Sequence, residues 1–91
     1  MSLYQIEFLP SARKELSSLH RDAQKRIGRK IDSLSINPRP HGVEKLEGKR
    51  GSFYRLRVGD YRILYEIQDE ILLVLVIKVG HRREVYRRMR S

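Results

Sequence analysis

The chain has 91 residues, enough for one domain but not two, because autonomous domains usually hold about 100–150 residues. Twenty Lys and Arg against eleven Asp and Glu give a formal net charge of +9, which predicts a strong positive field and a phosphate-bearing partner. A hydrophobic content of 40% supports a modest core, so this charge belongs to a folded surface.

Cysteine is absent, which excludes a disulfide framework, a thiolate metal site and a cysteine nucleophile, and suits a cytoplasmic protein. The longest apolar run, Ile71 to Ile77, is far shorter than the roughly 20 residues that span a bilayer. The N-terminus has Glu7 and Pro10 in place of a signal-peptide core. We therefore expect no membrane contact and no secretion.

The first forty residues predict one strand and two helices. Residues 3–9 alternate with the period of a half-buried strand, and Pro10 then opens a short helix. Asp22 is predicted to cap the second helix, which ends before Asn37-Pro38. Apolar residues at steps of three and four give each helix a buried face: Ala12, Leu16 and Leu19 in the first, and Ala23, Ile27, Ile31 and Leu34 in the second.

The second half of the chain predicts a loop, three strands and a basic tail. Residues 41–52 are polar, hold three glycines and are interpreted as a long loop. Strands at 53–58 and 61–67 flank a Gly59-Asp60 turn, and residues 71–79, apolar on both faces apart from Lys78, form a central strand. The predicted fold class is α+β, with an N-terminal strand and two helices packed on a mostly antiparallel four-stranded sheet.

A two-residue turn at Gly59-Asp60 sorts the hairpin side chains onto two faces. Arg57 then faces Arg62 directly, and Arg55 lies two residues earlier on the same side. Like charges opposite each other destabilise a hairpin, so this exposed trio is a candidate anion site, although a solvated charged face is the common alternative. The other face is predicted to pack on the helices and collects Tyr54, Leu56, Val58, Tyr61, Ile63 and Tyr65.

Two stretches carry a family resemblance. Residues 54–65 (YRLRVGDYRILY) and 79–86 (VGHRREVY), following a strand and two helices, resemble the RelE branch of the RelE/ParE toxin superfamily over nearly the whole chain. The resemblance implies one RelE-like toxin domain over residues 1–91. It also implies ribosome-dependent cleavage of messenger RNA in the A site, inhibition of translation and neutralisation by a co-encoded antitoxin. The toxin alone is expected to be a monomer that forms a hetero-oligomer with this antitoxin.

Carried over residue by residue, the resemblance assigns the two basic positions before the hairpin turn to Arg55 and Arg57, and the next strand's arginine to Arg62. Arg82 takes the place of the arginine after the last strand's glycine, and Tyr86 that of the C-terminal tyrosine. The arginines would stabilise the phosphoryl group during attack by the ribose 2′-OH, and Tyr86 would stack on the neighbouring base. No metal ion and no cofactor are required.

The sequence leaves two candidates for the proton transfer. Some family members have lysines on the strand where Arg55 and Arg57 stand, and arginine, with a pKa above about 12, is a poor base. His81, with an ordinary pKa of about 6.5, is a candidate acid or base beside Arg82 after a bend at Gly80. Ribosomal RNA groups could instead assist the proton transfer.

Basic residues away from this site are candidate contacts to ribosomal RNA phosphates, or else solubilising charges. They are Lys25, Arg26, Arg29, Lys30, Lys45, Lys49, Arg50 and Arg83. Glu44, Glu47 and Glu66 lack metal-ligand spacing and are predicted to be structural or surface charges.

Two other functions remain open at this point. A ParE-like toxin would share the fold, inhibit DNA gyrase and have no nuclease activity, although residues 80–86 favour the RelE branch. A non-enzymatic RNA-binding protein would use the arginines only to hold phosphate.

Overall fold

In the residues that the structure describes, two helices lie on one face of a five-stranded sheet. The computed structural model describes residues 3–46 and 52–81. The elements follow in the order β1 (Gln5–Phe8), α1 (Pro10–Ser17), α2 (Arg21–Ser33), β2 (Glu44–Leu46), β3 (Ser52–Val58), β4 (Tyr61–Gln68) and β5 (Leu73–His81).

The sheet has the strand order β1-β5-β4-β3-β2. Strand β1 runs parallel to β5, while the β2, β3, β4 and β5 neighbours are antiparallel. This arrangement confirms the α+β class with a mostly antiparallel sheet. No helix in the described ranges is long and apolar enough to cross a membrane.

The core lies between the helices and one face of the sheet. The apolar stripe of α2 is buried as its spacing predicts, with Ile27 and Ile31 at 0% and 1% exposure. Complete burial of a side chain of this size contributes roughly 1.5–3 kcal/mol. The sheet face below the helices contributes Ile63, Tyr65, Ile67, Val74, Val76 and Val79 to the core. An extra residue in β5, opposite Leu64 and Tyr65, shifts the pairing register between β4 and β5.

The hairpin between β3 and β4 has the register that the turn predicts. Val58 pairs with Tyr61 and Arg57 pairs with Arg62. Gly59 has a φ of +60°, and positive φ at the first central residue alone is the pattern of a type II′ turn. The two-residue turn therefore decides which side chains reach which face.

Three local predictions are wrong. Glu44–Leu46, inside the predicted loop, forms the edge strand β2, so the sheet has five strands and not the predicted four; this strand is too short to show a period. His20, not Asp22, is the N-cap of α2, and Asp22 lies in the first turn, where an acidic charge favours the helix dipole. The last strand begins at Leu73 because Asp69–Ile71 form a 3₁₀ turn.

Arg39 links the segment before β2 to the rest of the fold. Its guanidinium forms a bidentate ion pair with Asp69, with Nη2–Oδ2 at 2.8 Å, and its Nε donates to the Tyr54 hydroxyl at 2.9 Å. The Tyr4 hydroxyl donates to Asp69 Oδ1 at 2.6 Å. These bonds, from Arg39 first and then Tyr4, lower the pKa of Asp69 to about 2. The network joins the residue before β1, the 3₁₀ turn and β3 to the chain that leads into β2.

Candidate active site on the arginine face

The sheet face opposite the helices carries the predicted arginine cluster. We call the surface formed by Arg55, Arg57 and Arg62 the arginine face. The three residues share it because Arg57 and Arg62 are cross-strand partners and Arg55 is two residues from Arg57. The structure thus brings together three of the residues assigned to catalysis by the resemblance.

The prediction that all three arginines are exposed is wrong. Arg57 is exposed, but Arg55 and Arg62 are only 8% and 5% exposed. Strand alternation predicts which side of the sheet a residue occupies and leaves open what covers that side. Two of the guanidinium groups are therefore held in a largely desolvated setting, where their charges act with less screening.

Arg62 is a buried arginine of this face that has only backbone acceptors among the described residues. Its Nη1 donates to the Tyr61 carbonyl at 3.0 Å and to the Gly59 carbonyl at 3.3 Å. Its Nε is buried without a hydrogen-bond partner, and no carboxylate pairs with Arg62 in the part of the chain that the structure describes. A buried cation with an unused donor is costly unless an anion compensates it.

Gly80 lies directly opposite Arg62 on β5. The expected bend at Gly80 is wrong, because the residue continues the strand. Since glycine has no side chain, β5 adds none beside the Arg62 guanidinium at this register position. Glu15 of α1 fixes the same stretch of β5: its carboxylate accepts from the Val79 amide at 3.0 Å and from Lys78 Nζ.

Glu44 is the residue of this site that the sequence analysis missed. It pairs with Arg55 in the β2–β3 register, and its Oε2 accepts a hydrogen bond of 2.7 Å from Arg55 Nη2. That bond and the Arg55 charge lower the pKa of Glu44, and the charges of Arg57 and Arg62 lower it further. The arginine face therefore contains a half-exposed carboxylate, held ionised by all three guanidinium groups.

His81 lies on the other side of the sheet. It pairs with Tyr61, whose side chain belongs to the helix-packed face, and the two rings meet edge to face at 6.0 Å between centroids. The structure therefore does not bring His81 together with Arg57 and Arg62 on the arginine face. Its role as an acid or base stays a prediction.

The remaining basic candidates are spread over the fold or lie outside it. Four exposed cations, Lys25, Arg26, Arg29 and Lys30, lie on α2, on the opposite side of the sheet from the arginine face. Lys45 is exposed on β2. The predicted site residues Lys49, Arg50, Arg82, Arg83 and Tyr86, as well as Glu47, lie outside the described residues.

Comparisons with known proteins identify the family. Residues 6–86 match the family described as ParE toxin of type II toxin-antitoxin system, parDE. The chain belongs to the RelE/ParE toxin superfamily. Within it, the chain is a RelE-like toxin by its named relatives, as the resemblance in residues 54–65 and 79–86 implied.

Three RelE-like proteins illustrate this similarity. Toxin RelG of Mycobacterium tuberculosis is 34% identical over 86 residues, covering 93% of this chain and 98% of RelG. The mRNA interferase toxin RelE of Escherichia coli is 33% identical over 86 residues, covering 91% of this chain and 90% of RelE. A chain in the archaeal RelE-RelB complex from Pyrococcus horikoshii gives a TM-score of 0.79 at 30% identity, covering 88% of this chain and 96% of that one. The RelE-like fold is therefore confirmed.

Proposed function

We propose that this RelE-like toxin is a ribosome-dependent endoribonuclease that cleaves messenger RNA in the A site and thereby inhibits translation. The observation that carries the proposal is the buried Arg62 guanidinium, which has an unused Nε–H and no carboxylate partner among the described residues. A phosphodiester supplies the missing negative charge and accepts that donor. The name of the Escherichia coli relative, an mRNA interferase, supports the same reaction class.

Arg62 and Arg57 would stabilise the phosphoryl group as its charge increases. The ribose 2′-oxygen attacks the adjacent phosphorus, the bond from phosphorus to the 5′-oxygen breaks, and the products are a 2′,3′-cyclic phosphate and a 5′-hydroxyl. Preorganised donors in a water-poor site lower the barrier most where the charge develops. Because guanidinium groups supply this positive charge, the proposed step needs no metal ion.

Glu44 is our choice for the group that accepts the 2′-OH proton. It is the carboxylate joined to the arginine face, and its lowered pKa keeps it ionised at neutral pH. When a phosphate enters, the arginines share their charge between the phosphate and Glu44, so the basicity of the carboxylate increases. Arg55, already paired with Glu44, would then orient the base more than it binds the phosphate.

Arg82 and Tyr86, which follow β5 in the sequence, would complete the site, and a ribosomal group would protonate the leaving 5′-oxygen. The dependence on the ribosome has a physical basis in this arrangement. A flexible message seldom places its 2′-oxygen in line with the scissile bond, and the A site would hold it so.

The partner that neutralises the toxin is proposed to be an antitoxin of the RelB kind. The Pyrococcus horikoshii RelE relative forms a complex with RelB. A net charge of +9 favours an acidic segment that folds as it binds and covers the arginine face.

A ParE-like inhibitor of DNA gyrase is the second candidate, because the matching family is described as a ParE toxin. Primer extension on translating ribosomes, with and without this protein, separates the candidates. Cuts at A-site codons are expected. Intact message together with gyrase-dependent DNA breaks would favour the ParE-like function, and ribosome binding without cuts would favour an RNA-binding protein.

A further inference from the structure

A second basic surface lies on the helix side of the hairpin tip. A groove of about 400 Å³ runs between α2 and the end of β3, and its walls are Arg26, Arg29, Lys30, Ser33 and Val58. We call it the α2 groove. Val58 is buried and gives the groove an apolar floor, while the other four residues are exposed.

The α2 groove carries three cations on one side of a helix. Arg26, Arg29 and Lys30 are three and four residues apart, so they lie on one side of α2 as neighbours. None of them has a carboxylate partner in residues 3–46 or 52–81. Charges that serve only solubility need no groove. A row of cations beside an apolar floor fits a nucleotide chain, whose phosphates would contact the cations while a sugar or base would lie on the floor.

Arg26 ties the α2 groove to the hairpin turn. A Cβ at Gly59 would lie 3.4 Å from Arg26 Nη2, so the guanidinium packs against the bare backbone of the turn. On the other side of the sheet, Arg62 bonds the Gly59 carbonyl. The hairpin tip is therefore flanked by cations on both faces, and a single strand would have to wrap around the tip to contact both sets.

We propose that the α2 groove binds the backbone of ribosomal RNA, separately from the message held on the arginine face. This inference rests on the proposed ribosome-dependent function and names the surface that recognises the ribosome. The hairpin tip would be inserted between two RNA segments, one on each face. The groove cations would then set the affinity for the ribosome without taking part in the cleavage step.

The first test compares two variants of equal charge. Arg29→Gln/Lys30→Gln removes two groove cations, and Lys14→Gln/Arg21→Gln removes two exposed cations of α1 and α2 outside the groove. Binding of the full chain to ribosomes without message is measured over a range of salt concentrations. The groove variant should reduce the slope of log K against log salt by about 1.4–1.8, at 0.7–0.9 per lost phosphate contact, and the control should keep the wild-type slope.

A second pair of variants tests occupancy of the groove without changing the charge. Ser33 and Ser17 end α2 and α1, are both exposed, and both donate to the carbonyl three residues earlier. Ser33→Phe should fill the groove and weaken ribosome binding with the salt slope unchanged, while Ser17→Phe should bind like the wild type. Normal ribosome binding by Ser33→Phe would contradict the proposal.

Other occupants predict different results. If the groove held message, the double substitution would weaken binding of a free message oligonucleotide and leave binding to ribosomes without message intact, which would overturn the proposal. The proposal would also be overturned if the double variant bound ribosomes normally but was no longer neutralised by a co-expressed antitoxin, because the groove would then hold the antitoxin. Cleavage is scored separately: a wild-type protein that binds ribosomes through this groove but never cuts would refute the proposed nuclease and leave the groove assignment standing.

Discussion

Arg62 lies directly opposite Arg57 in the β3–β4 hairpin and donates from Nη1 to the carbonyl of Gly59 in its own turn. The two residues are thus cross-strand neighbours on one face of the sheet, one buried and one exposed, although like charges in this position repel each other. The backbone bonds fix the orientation of Arg62 and leave its Nε without a partner in the described chain. This arrangement stabilises the free protein poorly and suits an anionic ligand.

Replacing Arg62 by leucine should leave the free energy of unfolding unchanged or raise it by about 1–3 kcal/mol, because an unpaired buried charge is removed. Inorganic phosphate should raise the melting temperature of the wild type more than that of this variant. Arg21→Leu, which removes an exposed cation of α2, is the control for net charge. A strong loss of stability in Arg62→Leu, or an equal response to phosphate, would show that Arg62 is structural.

Glu44→Gln should slow single-turnover cleavage on the ribosome by about 10²- to 10⁴-fold, the usual contribution of a positioned base. The amide oxygen of the variant can still accept a hydrogen bond from Arg55, so the fold should be retained. Ribosome binding should not weaken, since the substitution removes a negative charge from a protein that binds RNA. Glu66→Gln is the matched control. Glu66 is four residues after Arg62 on β4, so its side chain lies on the same face of the sheet.

The pH dependence of cleavage separates Glu44 from His81. The pKa of Glu44 is lowered from 4.5, so it stays ionised and the rate should be constant roughly between pH 6 and pH 8. A base that takes up a proton within this range, as histidine commonly does, would instead make the rate fall as the pH drops. Cleavage by the Glu44→Gln variant at the wild-type rate would contradict the assignment of Glu44 as the base. A wild-type rate that falls as the pH drops from about 8 to 6 would also contradict it.

Two glycine substitutions should shift stability in opposite directions. Gly59→Ala forces a side chain into a positive φ and towards Arg26, and should cost about 1–2 kcal/mol. Gly28→Ala, inside α2 with open space around its Cβ position, should gain about 0.5–1 kcal/mol from helix propensity. Chemical denaturation of both variants measures these values, and a stable Gly59→Ala would contradict the turn geometry.

The sequence is informative where a local rule decides the geometry. The Gly59-Asp60 turn decides the hairpin register, and the register decides that the arginines share a face. Burial of Arg62 could not be predicted, because alternation along a strand says nothing about what lies above it. The Glu44–Arg55 pair was missed for a related reason: a three-residue strand has no period, so nothing local places Glu44 beside a residue eleven positions away.

Asp69→Asn should destabilise the protein at neutral pH, because Asp69 pairs with Arg39 and accepts from Tyr4. Its pKa falls from 3.8 to about 2 on folding, so its contribution is complete above the unfolded value and is lost as the pH drops from about 4 to about 2. The stability of the wild type should therefore approach that of Asp69→Asn over this range. A difference that is the same at pH 2 and pH 7 would contradict the ion-pair account.

The central claim is that the arginine face holds and activates a phosphodiester of message on the ribosome. The most direct measurement is single-turnover cleavage of message in the A site by the wild type and by Arg62→Leu, with both proteins in saturating excess. We predict cuts that end in a 2′,3′-cyclic phosphate and a loss of about 10²- to 10³-fold in the variant, as expected for one charge-stabilising donor. Equal rates for the two proteins, or no cleavage by the wild type, would contradict it.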